Sequence, residues 1–448
     1  DRSRARRVRH GIVLTIAGGA GVGVGVIVGL VALFFGLSSA PDRTASAGAA
    51  LLGTRAPTAA PSATAAVPPL DVTPAATASP SPAATPRLAA PAASATATPP
   101  SGIVAAATRL ADPFAKLTLD QKVGQLFMLG FDGGDGSGAI SALIQRGHAG
   151  NVLILPQNVR DPLQLRELTD ALQAQAKQAN GVGLLVATDQ EGGDVQPLPP
   201  PFWTALPAAA QLAGSSAQQI AGWGQRAGNE LGQAGVNLDL APVLDVNGAA
   251  PAGLGSRAFG TDPAAVSGAG LAFAQGLRAA GVIAAVAHFP GLGSAAPDPR
   301  SGLPVDARPE AQLRASNLPP FADAVRGGAG VVLVGGGVYP AWDAYAPALF
   351  SQRIVGGLLR GELGYQGVVM TDDLAAAAIR HRWSPADAAV KALQAGADLL
   401  LISGPAADQA AAMDAVIAAV KDGRIPEAQI DASVARVLAL KLRYGVGR

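Results

Sequence analysis

From about residue 105 to residue 448, short apolar runs alternate with longer helix-like stretches. The apolar runs are 124–131, 150–156, 183–189, 237–246, 282–289, 330–336, 367–373 and 398–403. Helix-like segments lie between them, for example 161–180, 216–234, 262–280 and 384–396. Eight strands alternating with helices predict an α/β fold in which a parallel sheet closes into a (β/α)8 TIM-type barrel. A doubly wound sheet has the same alternation and is the alternative.

The chain before the barrel begins with a basic segment and an uncharged one. Residues 1–10, DRSRARRVRH, contain five arginines, and residues 11–40 contain no charged side chain. The second segment is long enough to cross about 30 Å of hydrocarbon as a helix. Because arginine-rich flanks stay on the cytoplasmic side, we predict a cytoplasmic segment, a single-pass transmembrane anchor in the cell membrane, and an extracytoplasmic remainder. Gly21, Gly25 and Gly29 have GxxxG spacing, which is compatible with a dimer through the anchor but also with a chain rich in small residues.

Residues 41–104 are dominated by Ala, Pro, Thr and Ser. Such a segment has too few apolar side chains to form a core, and its prolines favour an extended conformation. We therefore predict a disordered linker that holds the barrel domain, 105–448, away from the membrane.

Net charge and residue counts exclude several kinds of partner and site. The net charge of +1 gives no reason to expect a nucleic-acid partner. The chain has no cysteine, which excludes thiolate metal sites and cysteine nucleophiles. Its four histidines include no His-x-x-x-His pair, so a dedicated zinc site is not expected. We expect neither a metal nor an organic cofactor.

Polar side chains follow several of the predicted strands. Asp189, Asp245, His288 and Asp372 each come just after or at the end of an apolar run. In TIM-type barrels the reactive groups lie at the carboxyl ends of the strands. For Asp245 we favour a structural role as a helix cap or loop brace. The sequences around Asp189 and Asp372 are more distinctive and indicate a site.

Four segments carry a family resemblance. They are ATDQEGGDVQ (187–196), NLDLAPVLDVN (237–247), SRAFGTDP (256–263) and GYQGVVMTDDL (364–374). In this order they resemble glycoside hydrolase family 3, in particular its single-domain bacterial β-N-acetylhexosaminidases. The resemblance implies that Asp372 is the nucleophile of a retaining mechanism. It also implies that Asp189, Arg257 and His288 bind the sugar at subsite −1. Carboxylate and arginine side chains suit this chemistry.

One loop departs from the family pattern. The segment AHFPGLGSAAPDPR (287–300) aligns with K-H-F-P-G-H-G-D-T-x-x-D-S-H, whose last histidine is the acid/base. Arg300 replaces that histidine, whereas Asp298, its partner, remains. Ala287 replaces a sugar-binding lysine, and Leu292 replaces another histidine. Because arginine does not deprotonate in proteins, Arg300 cannot transfer a proton at neutral pH.

Two further departures follow Asp189. Asp194 and Pro197 stand where the family has arginine. We expect the loss of cationic ligands at Ala287 and Pro197 to weaken sugar binding. Loss of a positioned acid costs roughly 10²–10⁴ in rate. Only a partner chain or a residue that the sequence does not reveal could supply an acid, and His381 and Glu191 are weak candidates.

Two main hypotheses follow for function. The first is a membrane-anchored family 3 glycosidase that hydrolyses β-linked N-acetylhexosamine, in cell-wall glycan or chito-oligosaccharide, by a retaining mechanism. The second is a catalytically impaired barrel that binds wall glycan or a protein partner. A third reading is phosphorolysis, with Arg300 holding phosphate.

Overall fold

The computed structural model of the protein describes residues 117–248, 254–297 and 302–446. The predicted anchor, the predicted linker, Asp298 and Arg300 all lie outside these ranges. Within the described ranges, no helix combines the length and the apolar character needed to span a bilayer.

Eight parallel strands follow one another around the sheet in chain order. They are β1 (Phe127–Gly130), β2 (Asn151–Leu153), β3 (Leu185–Thr188), β4 (Leu238–Asp239), β5 (Ile283–Phe289), β6 (Val331–Val334), β7 (Val368–Thr371) and β8 (Leu400–Ile402). Each strand from β1 to β6 pairs with the next, and β1 also pairs with β8, with Leu129 opposite Ile402. A parallel bridge between Met370 and Leu399 joins β7 to β8. The prediction of a TIM-type barrel is confirmed, in a nearly closed form. The doubly wound alternative is wrong, because the strand order never reverses.

Helices connect the strands on the outside of the sheet. They are α1 (Leu119–Gly124), α2 (Gly138–Gln145), α3 (Pro162–Asn180), α4 (Ala209–Leu212), α5 (Ala217–Gln233), α6 (Pro263–Ala279), α7 (Glu310–Ser316), α8 (Leu318–Arg326), α9 (Ala377–Arg380), α10 (Pro385–Ala395), α11 (Ala406–Lys421) and α12 (Glu427–Arg443). A π-helical segment, Arg353–Glu362, lies between β6 and β7. Short 3-10 turns occur at Pro156–Asn158, Gly255–Arg257 and Ala348–Phe350.

The long helices begin where a side chain can cap them. Asp161, Ser216, Asp262 and Ser384 each accept a hydrogen bond from the backbone N–H three residues later, at the start of α3, α5, α6 and α10. Such a bond satisfies one of the amide groups that a helix start leaves unpaired. This local chemistry explains why the four helices predicted above start within a residue of their expected positions.

The strand predicted at 237–246 is the main departure from the expected pattern. β4 ends at Asp239, and the chain pairs with β5 again only through a bridge between Val243 and Ala287. Pro242 has no amide hydrogen and cannot donate to the sheet. Beyond that bridge the segment forms no regular strand, and its Asp245 contacts the start of the loop after β5.

Buried polar contacts join the last helix to the amino ends of the strands. Asp398 accepts hydrogen bonds from the amide of Val369 at 2.9 Å, from Ser433 at 2.8 Å and from Arg436 at 2.9 Å, and it is also paired with Arg360. Lys441 of α12 is fully buried and donates to Gln125 Oε1 at 2.7 Å and to the Gly150 carbonyl at 2.8 Å. Burial lowers the pKa of Lys441 to about 7.

Candidate active site

A cavity of about 370 Å³ lies at the carboxyl ends of the strands. Its volume is within the range of small-molecule sites, roughly 300–1,000 Å³. Its polar lining side chains include Asp189, Asp194, Gln196, His288, Asp372, Asp373 and Ser403. We refer to it as the strand-end cavity.

Asp189 follows β3 directly and lies in this cavity. The segment around it is fixed by the Thr188 hydroxyl, which donates to the Ile154 carbonyl at 3.0 Å, and by the Gln190 amide, which donates to Asp239 Oδ1 at 2.9 Å. Burial, with the nearby charges of Glu191 and Asp372, raises the pKa of Asp189 to about 8 against the opposing effect of Arg257 and His288. Asp189 therefore holds its proton over much of the neutral range.

Asp372 lies one residue beyond β7 and also lines the cavity. Its amide donates to the Val334 carbonyl at 2.9 Å, which ties the end of β7 to β6. Its Oδ1 accepts the Asp373 amide at 2.8 Å. Within the described ranges, its other carboxylate oxygen has no hydrogen-bond donor and remains available to a ligand.

The neighbouring carboxylate, Asp373, is held by the protein. It accepts hydrogen bonds from the Ser403 amide at 3.0 Å and the Ala375 amide at 2.8 Å, and also from the Ser403 hydroxyl. Burial raises the pKa of Asp373, although the Ser403 donors oppose the shift. The two consecutive aspartates thus differ: the first has a free oxygen, and the second braces the end of β8.

His288 lies on β5, and its ring is oriented by Asp245. Nδ1 of His288 is 2.7 Å from Asp245 Oδ2, and the His288 amide is 3.3 Å from the same oxygen. Burial opposes protonation of the ring, but the Asp245 carboxylate outweighs it, so the pKa of His288 is raised. Asp245 also accepts a hydrogen bond from the Leu292 amide. It is therefore the loop brace expected from the sequence, and in addition it positions a cavity side chain.

Arg257 is held by Glu191 beside His288. Its Nε is 2.7 Å from Glu191 Oε2, its Nη2 is 2.5 Å from Glu191 Oε1, and Nη2 is 3.5 Å from His288 Nε2. Arg257 is not among the residues that line the strand-end cavity. That Arg257 binds sugar stays a prediction.

Neither weak candidate for the missing acid has suitable geometry. Both Glu191 oxygens are engaged by Arg257. His381 is exposed at the end of α9 and does not line the cavity. Asp298 and Arg300 lie outside the described residues, so their predicted roles stay predictions.

The loop after β3 brings two of the family departures to the cavity. Gly192 has φ of +94°, and a Cβ there would lie 2.4 Å from the Pro207 carbonyl oxygen, so the turn requires glycine. Gln196 holds the loop by donating to the Thr204 carbonyl at 2.7 Å and accepting the Leu206 amide at 3.1 Å. Asp194 and Pro197 consequently line the cavity.

The loop after β5 is anchored as far as it is described. The Asn317 side chain and the Tyr339 hydroxyl each donate to the Gly291 carbonyl at 2.8 Å. Leu292, at a family histidine position, is buried with Leu254 and Ala295. Ala287, at the position of the family's sugar-binding lysine, is fully buried within β5. Its methyl group cannot supply the charge of that lysine.

No group of three or more histidine, aspartate or glutamate side chains in the described ranges is arranged to hold a metal ion. The side chains of the cavity are instead suited to hydrogen bonding and to nucleophilic attack by a carboxylate.

The family model described as the glycosyl hydrolase family 3 N terminal domain matches residues 118–440. The chain belongs to glycosyl hydrolase family 3. The match extends from the residue before α1 into α12 and therefore covers all eight strands of the barrel.

Similar proteins include a β-hexosaminidase of Alkalilimnicola ehrlichii, 36% identical over 284 residues, which covers 61% of this chain and 79% of the relative. Among solved structures, a family 3 β-N-acetylglucosaminidase from Paenibacillus sp. superposes with a TM-score of 0.72 at 39% identity, covering 74% of this chain and 64% of that one. A β-N-acetylhexosaminidase from Beutenbergia cavernae superposes with a TM-score of 0.67 at 36% identity and is covered over its full length, with 74% of this chain.

Proposed function

We propose that the protein is a retaining glycosidase that hydrolyses β-linked N-acetylhexosamine in cell-wall glycan or chito-oligosaccharide. The observation that carries this proposal is Asp372, whose carboxylate has a free oxygen in the strand-end cavity that Asp189 and His288 also line. The relatives named β-hexosaminidase and β-N-acetylglucosaminidase support the substrate class.

The geometry supports a two-step reaction. In the first step the free Asp372 oxygen attacks the anomeric carbon, and the glycosidic bond breaks with its electron pair on the leaving oxygen. In the second step water attacks the same carbon, releases Asp372 and loses a proton. A protonated Asp189 would donate a hydrogen bond to a sugar hydroxyl, and the buried His288 would hold another.

The site lacks the family's group for proton transfer to the leaving oxygen. In the part of the chain that the structure describes, no free acid other than Asp189 and Asp194 accompanies the nucleophile in the cavity. Arg300, at the acid/base position of the family, cannot serve. The reaction should therefore depend strongly on the leaving group. Nitrophenolate leaves without a proton, whereas a sugar alkoxide does not.

The test compares the rates at which the full chain hydrolyses two substrates. We expect slow hydrolysis of nitrophenyl N-acetyl-β-glucosaminide and little or no cleavage of chitobiose. Asp372→Asn should abolish aryl hydrolysis, whereas Asp414→Asn, an exposed aspartate on α11, should leave it unchanged. Since Arg300 cannot act as the base of the second step either, mass spectrometry should detect a glycosyl-enzyme. Efficient chitobiose cleavage by the unmodified chain would contradict the assignment of the missing acid.

Restoring the family residues is the complementary experiment. Arg300→His combined with Ala287→Lys should recover part of the disaccharide activity, up to the ~10²–10⁴ that a positioned acid contributes. An unchanged chitobiose rate, in a variant that remains folded, would count against the role assigned to position 300.

A catalytically impaired barrel that binds wall glycan or a protein partner is the second candidate. One observation favours it: no lysine or arginine among the described residues lines the cavity. Absence of aryl hydrolysis together with absence of a trapped intermediate would favour this candidate.

We also propose that the domain is extracytoplasmic and anchored by residues 11–40 as a transmembrane helix. The proposal rests on the uncharged span after five arginines. Protease added to intact cells should cut between residues 41 and 104 and release a folded fragment. Complete protection of the barrel in intact cells would contradict it.

A further inference from the structure

The described lining of the strand-end cavity carries more acidic side chains than basic ones. Asp189, Asp194, Asp372 and Asp373 all line it, and the only described basic side chain there is His288. His288 is already paired with Asp245, which lies outside the cavity lining. Arg257, whose Nη2 lies 3.5 Å from His288 Nε2, is neutralised by its double contact with Glu191. A cavity of this kind attracts cationic ligands more strongly than neutral or anionic ones.

Three of the four carboxylates retain acceptor capacity. Neither Asp189 nor Asp194 receives a hydrogen bond from any described residue, and Asp372 has one free oxygen. Asp373 is different, because Ser403 and the Ala375 amide saturate it. Burial, together with the charges of Glu191 and Asp372, raises the pKa of Asp189 to about 8 against the opposing charges of Arg257 and His288.

Asp194 differs from the other two in position. Asp189 and Asp372 come directly from strand ends and are partly buried, whereas Asp194 is exposed on the loop after β3. The turn at Gly192 and the Gln196 contacts fix that loop. Asp194 is therefore a fixed negative charge at the solvent side of the cavity. A sugar seated against Asp372 would have its neighbour in the glycan on this side.

We propose that Asp194 selects a partly de-N-acetylated glycan, in which the sugar next to the cleaved bond carries a free, protonated amine. This inference rests on the proposed function, because it takes the sugar bound at Asp372 to be an N-acetylhexosamine. The ammonium group of the neighbouring sugar pairs with the Asp194 carboxylate. A fully N-acetylated neighbour has no charge to offer there.

The test measures binding by calorimetry, with the full chain carrying Asp372→Asn so that no turnover occurs. The ligands are N-acetylglucosaminyl-β-1,4-glucosamine, chitobiose, N-acetylglucosamine and glucosamine. We expect the amine-bearing disaccharide to bind about fivefold more tightly than chitobiose, which is what an exposed ion pair supplies. Since the pair is exposed, the preference should fall as salt is raised.

Asp194→Asn should remove the preference, and Asp414→Asn, an exposed aspartate remote from the cavity, should retain it. Equal binding of the two disaccharides, or a preference that survives Asp194→Asn, would overturn the inference and leave the proposed function standing. Preferential binding of the monosaccharide glucosamine over N-acetylglucosamine would overturn it too, because the amine would then lie inside the cavity. If none of the four sugars binds, the proposed function itself fails.

Discussion

At the scale of single residues, the pair of His288 and Asp245 connects the sheet to the cavity. The imidazole is held through Nδ1, so Nε2 is the nitrogen left to face Arg257 and a ligand. One carboxylate thus fixes both the orientation of a cavity histidine and, through the Leu292 amide, the start of the loop after β5.

Asp245→Asn should lower the pKa of His288. The substitution removes the negative charge that raises the pKa, while the burial that opposes protonation remains. NMR titration of the histidine ring signals checks this, with Asp414→Asn as the control. An unchanged His288 titration in Asp245→Asn would show that Asp245 is only a brace for the loop.

The sequence predicted several of the cavity residues but not all of their partners. Asp189, His288 and Asp372 follow apolar runs, and because all strand ends of a parallel barrel meet at one face, they had to come together. Pairs such as Arg257 with Glu191 depend on side-chain directions in two separate loops. No local pattern contains that information.

At the scale of elements, α12 is notable for a lysine buried without a carboxylate. Lys441 donates to two neutral oxygens, those of Gln125 and Gly150. The folded protein holds this lysine with a pKa of about 7, while an unfolded chain has it near 10.4. Between these two pKa values the unfolded state binds one more proton than the folded state, so the contribution of Lys441 to the unfolding free energy rises with pH. Below the folded pKa, the full free-energy cost of burying the charged amine is present.

Lys441→Met should remove this pH dependence. Relative to the variant, the wild-type protein should gain about 2–3 kcal/mol in unfolding free energy between about pH 7 and about pH 9, at roughly 1.4 kcal/mol for each pH unit. Urea unfolding of both proteins at the two pH values measures the difference. A constant difference would mean that the buried amine stays protonated throughout.

Asp398, just before β8, is a second buried charged residue that joins several elements. Asp398→Ala should destabilise the barrel by about 3–5 kcal/mol, because Arg360 and Arg436 lose their shared buried partner and the Val369 amide loses its acceptor. The control is Asp422→Ala, whose partner Arg424 is half exposed, and it should cost at most about 1 kcal/mol. Similar urea midpoints for the two variants would contradict this difference.

Secondary structure was predictable wherever local chemistry decides it. Capping residues marked the starts of α3, α5, α6 and α10. The prediction of a strand over 237–246 is wrong beyond Asp239, because the segment is mostly apolar, as in a buried strand, whereas Pro242 interrupts the hydrogen-bond ladder. Apolar character reports burial, and this segment is buried without being a strand beyond Asp239.

At the scale of the whole molecule, the barrel joins the first and the last described elements. β1 pairs with β8, and α1 is bound to α12 by the ion pairs of Lys122 with Glu427 and Asp431. Lys441 adds a second connection at Gln125 and Gly150. The alternation of strands and helices predicted that such a closure exists, but the residues that make it are more than 250 positions apart in the chain.

This closure sets an order of events during protein synthesis. The ribosome releases β1 long before it makes β8 and α12, so one edge of the growing sheet stays unpaired until the last of the barrel has emerged. Over that interval the oxygens of Gln125 and Gly150 also lack the hydrogen bonds that Lys441 donates in the folded protein. Contact between the open edges of two nascent chains competes with folding until α12 arrives and the sheet closes on itself.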